Sequence, residues 1–140
     1  MTDAAVYPLT REQEAELAAR AIDAQQWSYS PYSHYPVGAA LLTASGKIYD
    51  GANVENAAYP DSICAERVAA VKAVSEGERE FTAIAVVTQN DGMPCGSCRQ
   101  FLSEFGLDAV VLIANLKGEI VKRTAVRALL PDSFGPEQLR

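Results

Sequence analysis

Long apolar runs are missing from this 140-residue sequence. The densest, Ala109–Ala114, has six residues, against the ~20 needed to span a bilayer, so no membrane partner is expected. Basic charge is also scarce. Twelve Lys and Arg face eighteen Asp and Glu, a net −6, and a phosphate backbone repels that balance, which argues against a nucleic-acid partner. The opening Met-Thr-Asp-Ala-Ala has neither a basic n-region nor an apolar h-region, so no signal peptide and a cytoplasmic setting are expected. Three cysteines and one histidine are too few and too odd a set for a secreted disulfide framework. Repeats, low-complexity blocks and linkers are absent, and the length suits a single domain over residues 1–140. The remaining composition, 49% hydrophobic and 21% charged, is globular rather than disordered. A chain of this size buries roughly 68–70% of its unfolded surface without disulfide staples.

Periodicity and turn signals outline the elements. Thr10 with Gln13 forms a capping-box signature, and Leu17, Ala18, Ala21, Ile22 and Trp27 follow at helical spacing. Pro31 and Pro36 keep the stretch from Ser28 to Pro36 out of any helix. Val37–Thr43 and Lys47–Asn53 read as a hairpin turning through Ala44-Ser-Gly46. Cys64–Glu76 reads as a helix stopped by Gly77, with Val68, Ala69, Val71 and Ala73 as its apolar face. Phe81–Thr88 and Ala109–Ala114 are dense apolar strands, expected at the centre of the sheet because both faces must be covered. Pro94–Phe105 is a short helix and Glu119–Arg123 a further strand. Thr124 is placed to cap a final helix that Pro131 stops after Leu130. The order α-β-β-α-β-α-β-β-α predicts an α/β fold, a mixed sheet sandwiched by helices.

The cysteines carry the chemistry. Cys95-Gly-Ser-Cys98 is a C-x-x-C turn opening a helix, and alone it fits either a redox pair or half of a metal site. Cys64 begins another helix, two residues before Glu66. Structural zinc takes four protein ligands, whereas catalytic zinc takes three and leaves one position open. His34 could complete a closed Cys₃His site or be an ordinary loop histidine, and the sequence leaves both open. Three thiolates would blunt the acidity that zinc confers on water. Helix N-termini at the three cysteines offset that, and Arg67 or Arg99 could donate to a ligand sulfur.

Cys64-Ala-Glu66 followed by Pro94-Cys-Gly-Ser-Cys98 resembles the zinc-deaminase signature. Four blocks and the tail extend the likeness: Ser30–Leu42, Gly51–Tyr59, Cys64–Arg67, Pro94–Gln100 and Leu130–Leu139. Together they resemble the small free-nucleoside cytidine deaminases along essentially the whole chain. The resemblance implies a three-layer fold with a mixed five-stranded sheet flanked by helices. It also implies a homotetramer with pockets shared between subunits, and one Zn²⁺ per subunit held by Cys64, Cys95 and Cys98. The activity implied is hydrolytic deamination of cytidine and 2′-deoxycytidine, a step of pyrimidine salvage. Zinc-activated water would be the nucleophile and Glu66 the proton shuttle.

Asn53 and Glu55 alternate along a strand end, on one face, and the resemblance assigns them to the ribose hydroxyls, with the Ala57 backbone near the base. Tyr59 and Ala65 are implied as further substrate contacts. Tyr35 stands where the family often has Phe stacking on the pyrimidine, and its added hydroxyl must find a partner. Phe134, in a tail too short for its own core, is implied to close a neighbouring subunit's pocket. Three rivals remain: a deaminase of another small heterocycle, a polynucleotide-editing deaminase, and a zinc-stabilised binding module. The Asn53-x-Glu55 pair argues against the first, the charge against the second, and ligation by His34 would favour the third.

Overall fold

The computed structural model describes residues 7–140. The opening segment, on which the expectation of no signal peptide rests, lies outside the described residues. Helix α1 (Arg11–Gln25) begins at a complete capping box, with Thr10 and Gln13 bonding each other's backbone N–H. Strands β1 (Gly38–Thr43) and β2 (Ile48–Ala52) form the expected antiparallel hairpin. Gly46 takes the positive φ of 92° that its turn requires. Helix α2 (Ala65–Ser75), strand β3 (Phe81–Val87), helix α3 (Gly96–Gly106) and strands β4 (Val110–Ala114) and β5 (Ile120–Ala125) follow. The described chain ends with the short helix α4 (Val126–Leu129) and a 3₁₀ turn at Pro136–Leu139.

The five strands form one mixed sheet in the order β2-β1-β3-β4-β5, in which only β3 and β4 run parallel. The two strands expected to be central lie inside the sheet, as does β1. Strand alternation divides the core into two faces. Ala40, Leu42, Ala83, Ala85, Val87, Leu112 and Ala114 face α1, packing on Leu17, Ala18 and Ala21. Ala39, Leu41, Ile84, Val86, Val111 and Ile113 face the other way, toward α2, α3 and α4. Three layers result, helix against sheet against helices, which is why the inner strands are apolar along almost their whole length, with Thr43 and Thr82 near strand ends.

Two glycines let the helices approach. A Cβ on Gly38 would lie 2.0 Å from the Ala21 carbonyl oxygen of α1, and one on Gly51 would lie 2.7 Å from both the Ala65 oxygen and the Ala69 nitrogen of α2. The buried face of α2 is correspondingly small: Ala65, Ala69, Ala70 and Ala73, with Glu66. This corrects the face expected from sequence, because Val71 is exposed and Val68 only half-buried. Alanine and glycine allow the close contact that valine would prop open. Two further expectations fail. Trp27 lies beyond the end of α1 and is 74% exposed, because the chain has already turned away. Thr124 belongs to β5, and α4 starts from Ala125 with no side-chain cap. Continued pairing with β4 (Val111 opposite Thr124) holds the chain extended there.

One buried charge was not anticipated. Glu14 on α1 is 3% exposed, and its carboxylate accepts two bonds of 2.8 Å from Arg123 of β5 and one of 2.7 Å from the Tyr7 hydroxyl. Arg123 holds the Glu14 carboxyl down at about 2, against the opposing effect of burial. The stabilisation is therefore fully present above the ordinary value of 4.5 and is lost as pH falls toward 2. Glu14→Gln should lower unfolding free energy at neutral pH by about 1–3 kcal/mol. The gap between wild type and variant in urea unfolding should close across that acidic window; a pH-independent gap would exclude the linkage.

Candidate active site

The helix starts of α2 and α3 meet on the same face of the sheet. Cys64 is the N-cap residue of α2 and Cys95 that of α3, both with extended backbone and neither capping through its sulfur. Their thiols are thereby free to point at each other. Cys98, in the first turn of α3, completes the group. The Sγ atoms of Cys64 and Cys95 are 3.9 Å apart and those of Cys95 and Cys98 3.4 Å, with all three within 4.8 Å of one another. Zn–S bonds near 2.3 Å at tetrahedral angles would separate sulfurs by about 3.8 Å. The donor set therefore fits one zinc ion with a fourth position to spare. His34 is not part of the group. It is exposed in the loop before β1 with a left-handed φ of 56°, so the closed Cys₃His arrangement finds no support.

Charge in the cluster is uneven. The Cys64 thiol is pulled down to about 5, chiefly by its bond with Cys98 and with help from Arg67. The same bond to a Cys64 thiolate, together with burial, pushes Cys98 up. Three sulfurs this close ionise together only around a cation. Arg67 Nη2 reaches Cys64 Sγ at 4.0 Å, while its Nε is buried without a partner. Arg99 does not reach a sulfur. It donates to the carbonyls of Pro94 (2.7 Å) and Leu129 (3.0 Å), tying the approach to Cys95 onto α4.

Beside the sulfurs opens a hollow of about 360 Å³, within the range of small-ligand sites. Cys64, Cys95 and Glu66 line it, Asn53 and Glu55 contribute polar groups, and Val37, Val86 and Met93 supply apolar wall. Glu66 is 4% exposed. Burial, reinforced by the neighbouring Cys64 charge, pushes its carboxyl up to about 7. Asn53 accepts from Val37 N–H (2.9 Å) and Ser28 Oγ and donates to Tyr35 O (2.9 Å), leaving one amide hydrogen uncommitted. Glu55 accepts from the backbone N–H groups of Tyr32 and Ser33 at 3.0 and 3.1 Å and from the Ser33 hydroxyl. The serine hydroxyl, ahead of those backbone donors, holds its carboxyl below the usual range.

Of the residues singled out from sequence, Tyr35, Asn53, Glu55, Cys64, Glu66 and Cys95 line this one hollow. Cys98 and Ala65 are buried. Tyr59 lines an adjoining hollow of about 300 Å³ that shares Ser33 and Glu55, stacking edge-on against Tyr32 with ring centroids 5.8 Å apart. Ala57 and Phe134 line neither. Phe134 is 56% exposed, and its carbonyl accepts from Gln100 of α3 at 3.0 Å. Ser33, Thr88 and Met93 also line the larger hollow and carry no sequence signal, since loops distant in the chain bring them there.

Residues 11–114 match the cytidine and deoxycytidylate deaminase zinc-binding region. The chain is 49% identical over 127 residues to a cytidine deaminase of Sporosarcina psychrophila, covering 89% of this chain and 93% of that one. It is 42% identical over 134 residues to a probable cytidine deaminase of Dictyostelium discoideum, covering 94% and 90% respectively. A crystal structure of cytidine deaminase from Burkholderia pseudomallei superposes with a TM-score of 0.81 at 42% identity, covering 90% of this chain and 100% of that one. With the three-thiol cluster, the mixed sheet and this likeness agreeing along most of its length, the chain belongs to the zinc-binding cytidine and deoxycytidylate deaminase family.

Proposed function

We propose that the protein hydrolyses cytidine and 2′-deoxycytidine to the corresponding uridines, releasing ammonia. The observation that carries this is Glu66, buried beside three clustered thiols and lining a nucleoside-sized hollow. Cys64, Cys95 and Cys98 would hold zinc, which when bound would supply the Lewis acid that makes water nucleophilic near neutral pH. Arg67 steadies the Cys64 sulfur and spreads the negative charge of the cluster. Glu66 takes the proton of the attacking water and delivers it to ring N3. Once the water oxygen has bonded to C4, Glu66 takes the remaining proton from that C4 hydroxyl and passes it to the amine nitrogen; the C4–N bond breaks, ammonia leaves and the oxygen becomes the C4 carbonyl.

Asn53 and Glu55 orient the sugar through their polar groups at the hollow, and both are held in place by bonds to the loop of residues 28–37. Tyr35 meets the face of the pyrimidine, and the Ala57 backbone, Ala65 and Tyr59 frame the base and its entrance. The protein acts as a homotetramer of one cytidine-deaminase-like domain per chain, residues 1–140, and works in the cytoplasm, where free thiols persist. Trp27, Tyr59 and Phe134 are exposed and so available to contacts between subunits. In that assembly Phe134 closes a neighbouring subunit's pocket, and its tail is anchored by Gln100 on the helix that bears Cys98.

Ammonia release should be seen with cytidine and deoxycytidine, but not with cytosine or single-stranded DNA. No release from either nucleoside would refute the proposal. Glu66→Gln should keep fold and zinc while lowering kcat by about 10²–10⁴-fold, the usual weight of a general acid–base group. Near wild-type turnover in a zinc-replete variant would remove the proton shuttle from Glu66. Zinc analysis should give one ion per chain, and Cys98→Ala should lower both zinc content and thermal stability. Retention of full stoichiometry would exclude Cys98 as a ligand. Phe134→Ala should lower kcat/KM roughly tenfold to a hundredfold, from the burial of one aromatic ring. Co-refolding it with Glu66→Gln should restore some activity through hybrid pockets; failure would place the ring in its own chain's site.

A further inference from the structure

Resting on the function proposed above, we infer that the Tyr35 ring is latched against the hollow by the β3–α3 loop, with Asn90 as the residue that positions it for substrate binding. The Tyr35 hydroxyl donates to Asn90 Oδ1 at 2.6 Å, bridging 55 positions of sequence. The acceptor sits on a tightly folded loop. The Thr88 hydroxyl oxygen accepts from Gly92 N–H at 2.7 Å and from Asn90 N–H at 3.4 Å, and Asp91 takes a left-handed φ of 60°. That loop leads through Met93 to Cys95, and Tyr35, Thr88, Met93 and Cys95 all line the same hollow.

Gly92 makes room for the latch. A Cβ there would lie 2.3 Å from the Tyr35 hydroxyl oxygen and 3.3 Å from Thr88 Oγ1, so the phenol end occupies space that only glycine leaves free. The backbone that carries the ring is fixed as well, because the Tyr35 N–H donates to Ser33 Oγ and its carbonyl accepts from Asn53 Nδ2. The consequence is chemical as well as steric. The one donor of the phenol is committed to Asn90, away from any ligand, so a bound base meets Tyr35 as an apolar ring. A phenylalanine would offer the same face without the anchor. Ordering a free ring when substrate arrives costs binding free energy, whereas a latched ring has been ordered in advance. The latch contacts neither Glu66 nor a sulfur, so it acts on substrate affinity more than on turnover.

Asn90→Ala and Tyr35→Phe should each raise KM for cytidine roughly twofold to tenfold, the effect of one hydrogen bond, and lower kcat by less. Their double variant should be no worse than either single one, since both remove the same bond. Asn90→Asp keeps an acceptor oxygen and should retain the wild-type KM. Gly92→Ala should raise KM by displacing the phenol, and in the Tyr35→Phe background, where no hydroxyl is left to displace, it should add little further, which a merely structural glycine would not show. An unchanged KM in Asn90→Ala, additive effects in the Asn90→Ala/Tyr35→Phe double variant, or a Gly92→Ala effect that persists in full on top of Tyr35→Phe would each overturn the latch. Should Gly92→Ala fail to fold, the Asn90 and Tyr35 variants decide alone. A zinc-loaded wild-type protein that releases no ammonia from cytidine would defeat the proposed function itself, whereas normal wild-type turnover with additive variants would defeat only the latch.

Discussion

Three thiol sulfurs gathered within 4.8 Å pose a charge problem to which much of the architecture is an answer. As thiols they are poor ligands, and as thiolates they repel one another at that range. The chain meets the difficulty by opening two helices at the same point. Cys64 and Cys95 occupy N-cap positions, where unpaired N–H groups and the positive helix end favour negative charge. Arg67 adds a full positive charge next to Cys64. A zinc ion supplies the rest, which couples metal binding to the stability of this end of the fold.

Bringing two helix starts together demands that α2 and α3 lie side by side on one face of the sheet and close to it. Gly51 and the alanine face of α2 provide the closeness, and the parallel pairing of β3 and β4 places α3 as the connection between them. Helix α1 covers the opposite face and is tied to the far edge strand by Glu14 and Arg123. Structural and chemical duties are thus divided between the two sides. Side chains on the α1 face hold the layers together, while the α2–α3 face carries the reactive groups.

The polar residues around the hollow serve twice. Asn53 and Glu55 fasten the 28–37 loop through backbone bonds, and both also line the hollow. Arg99 holds the end of α4, and Gln100 the tail beyond it, against the helix that carries Cys98. A site supported in this way is largely formed before ligand arrives, which limits the ordering cost of binding.

The hairpin, the two dense inner strands and the capping box of α1 could be read from local pattern, because period and turn chemistry act over a few residues. The cysteine spacing with Glu66 was equally legible, since ligand chemistry restricts residue type as well as position. Local pattern failed where a neighbouring layer made the choice. Val71 looked like core until the alanine face of α2 met Gly51, and Thr124 looked like a cap until pairing with β4 kept it in β5. Most of the elements, the metal-binding chemistry and the family were legible in the residues alone. Only the tertiary structure decided that His34 stands apart, that Arg67 and not Arg99 meets a sulfur, and that Tyr35 finds Asn90. Those pairings join residues far apart in the chain through loops whose relative placement is set by packing across the sheet, and no local periodicity encodes that.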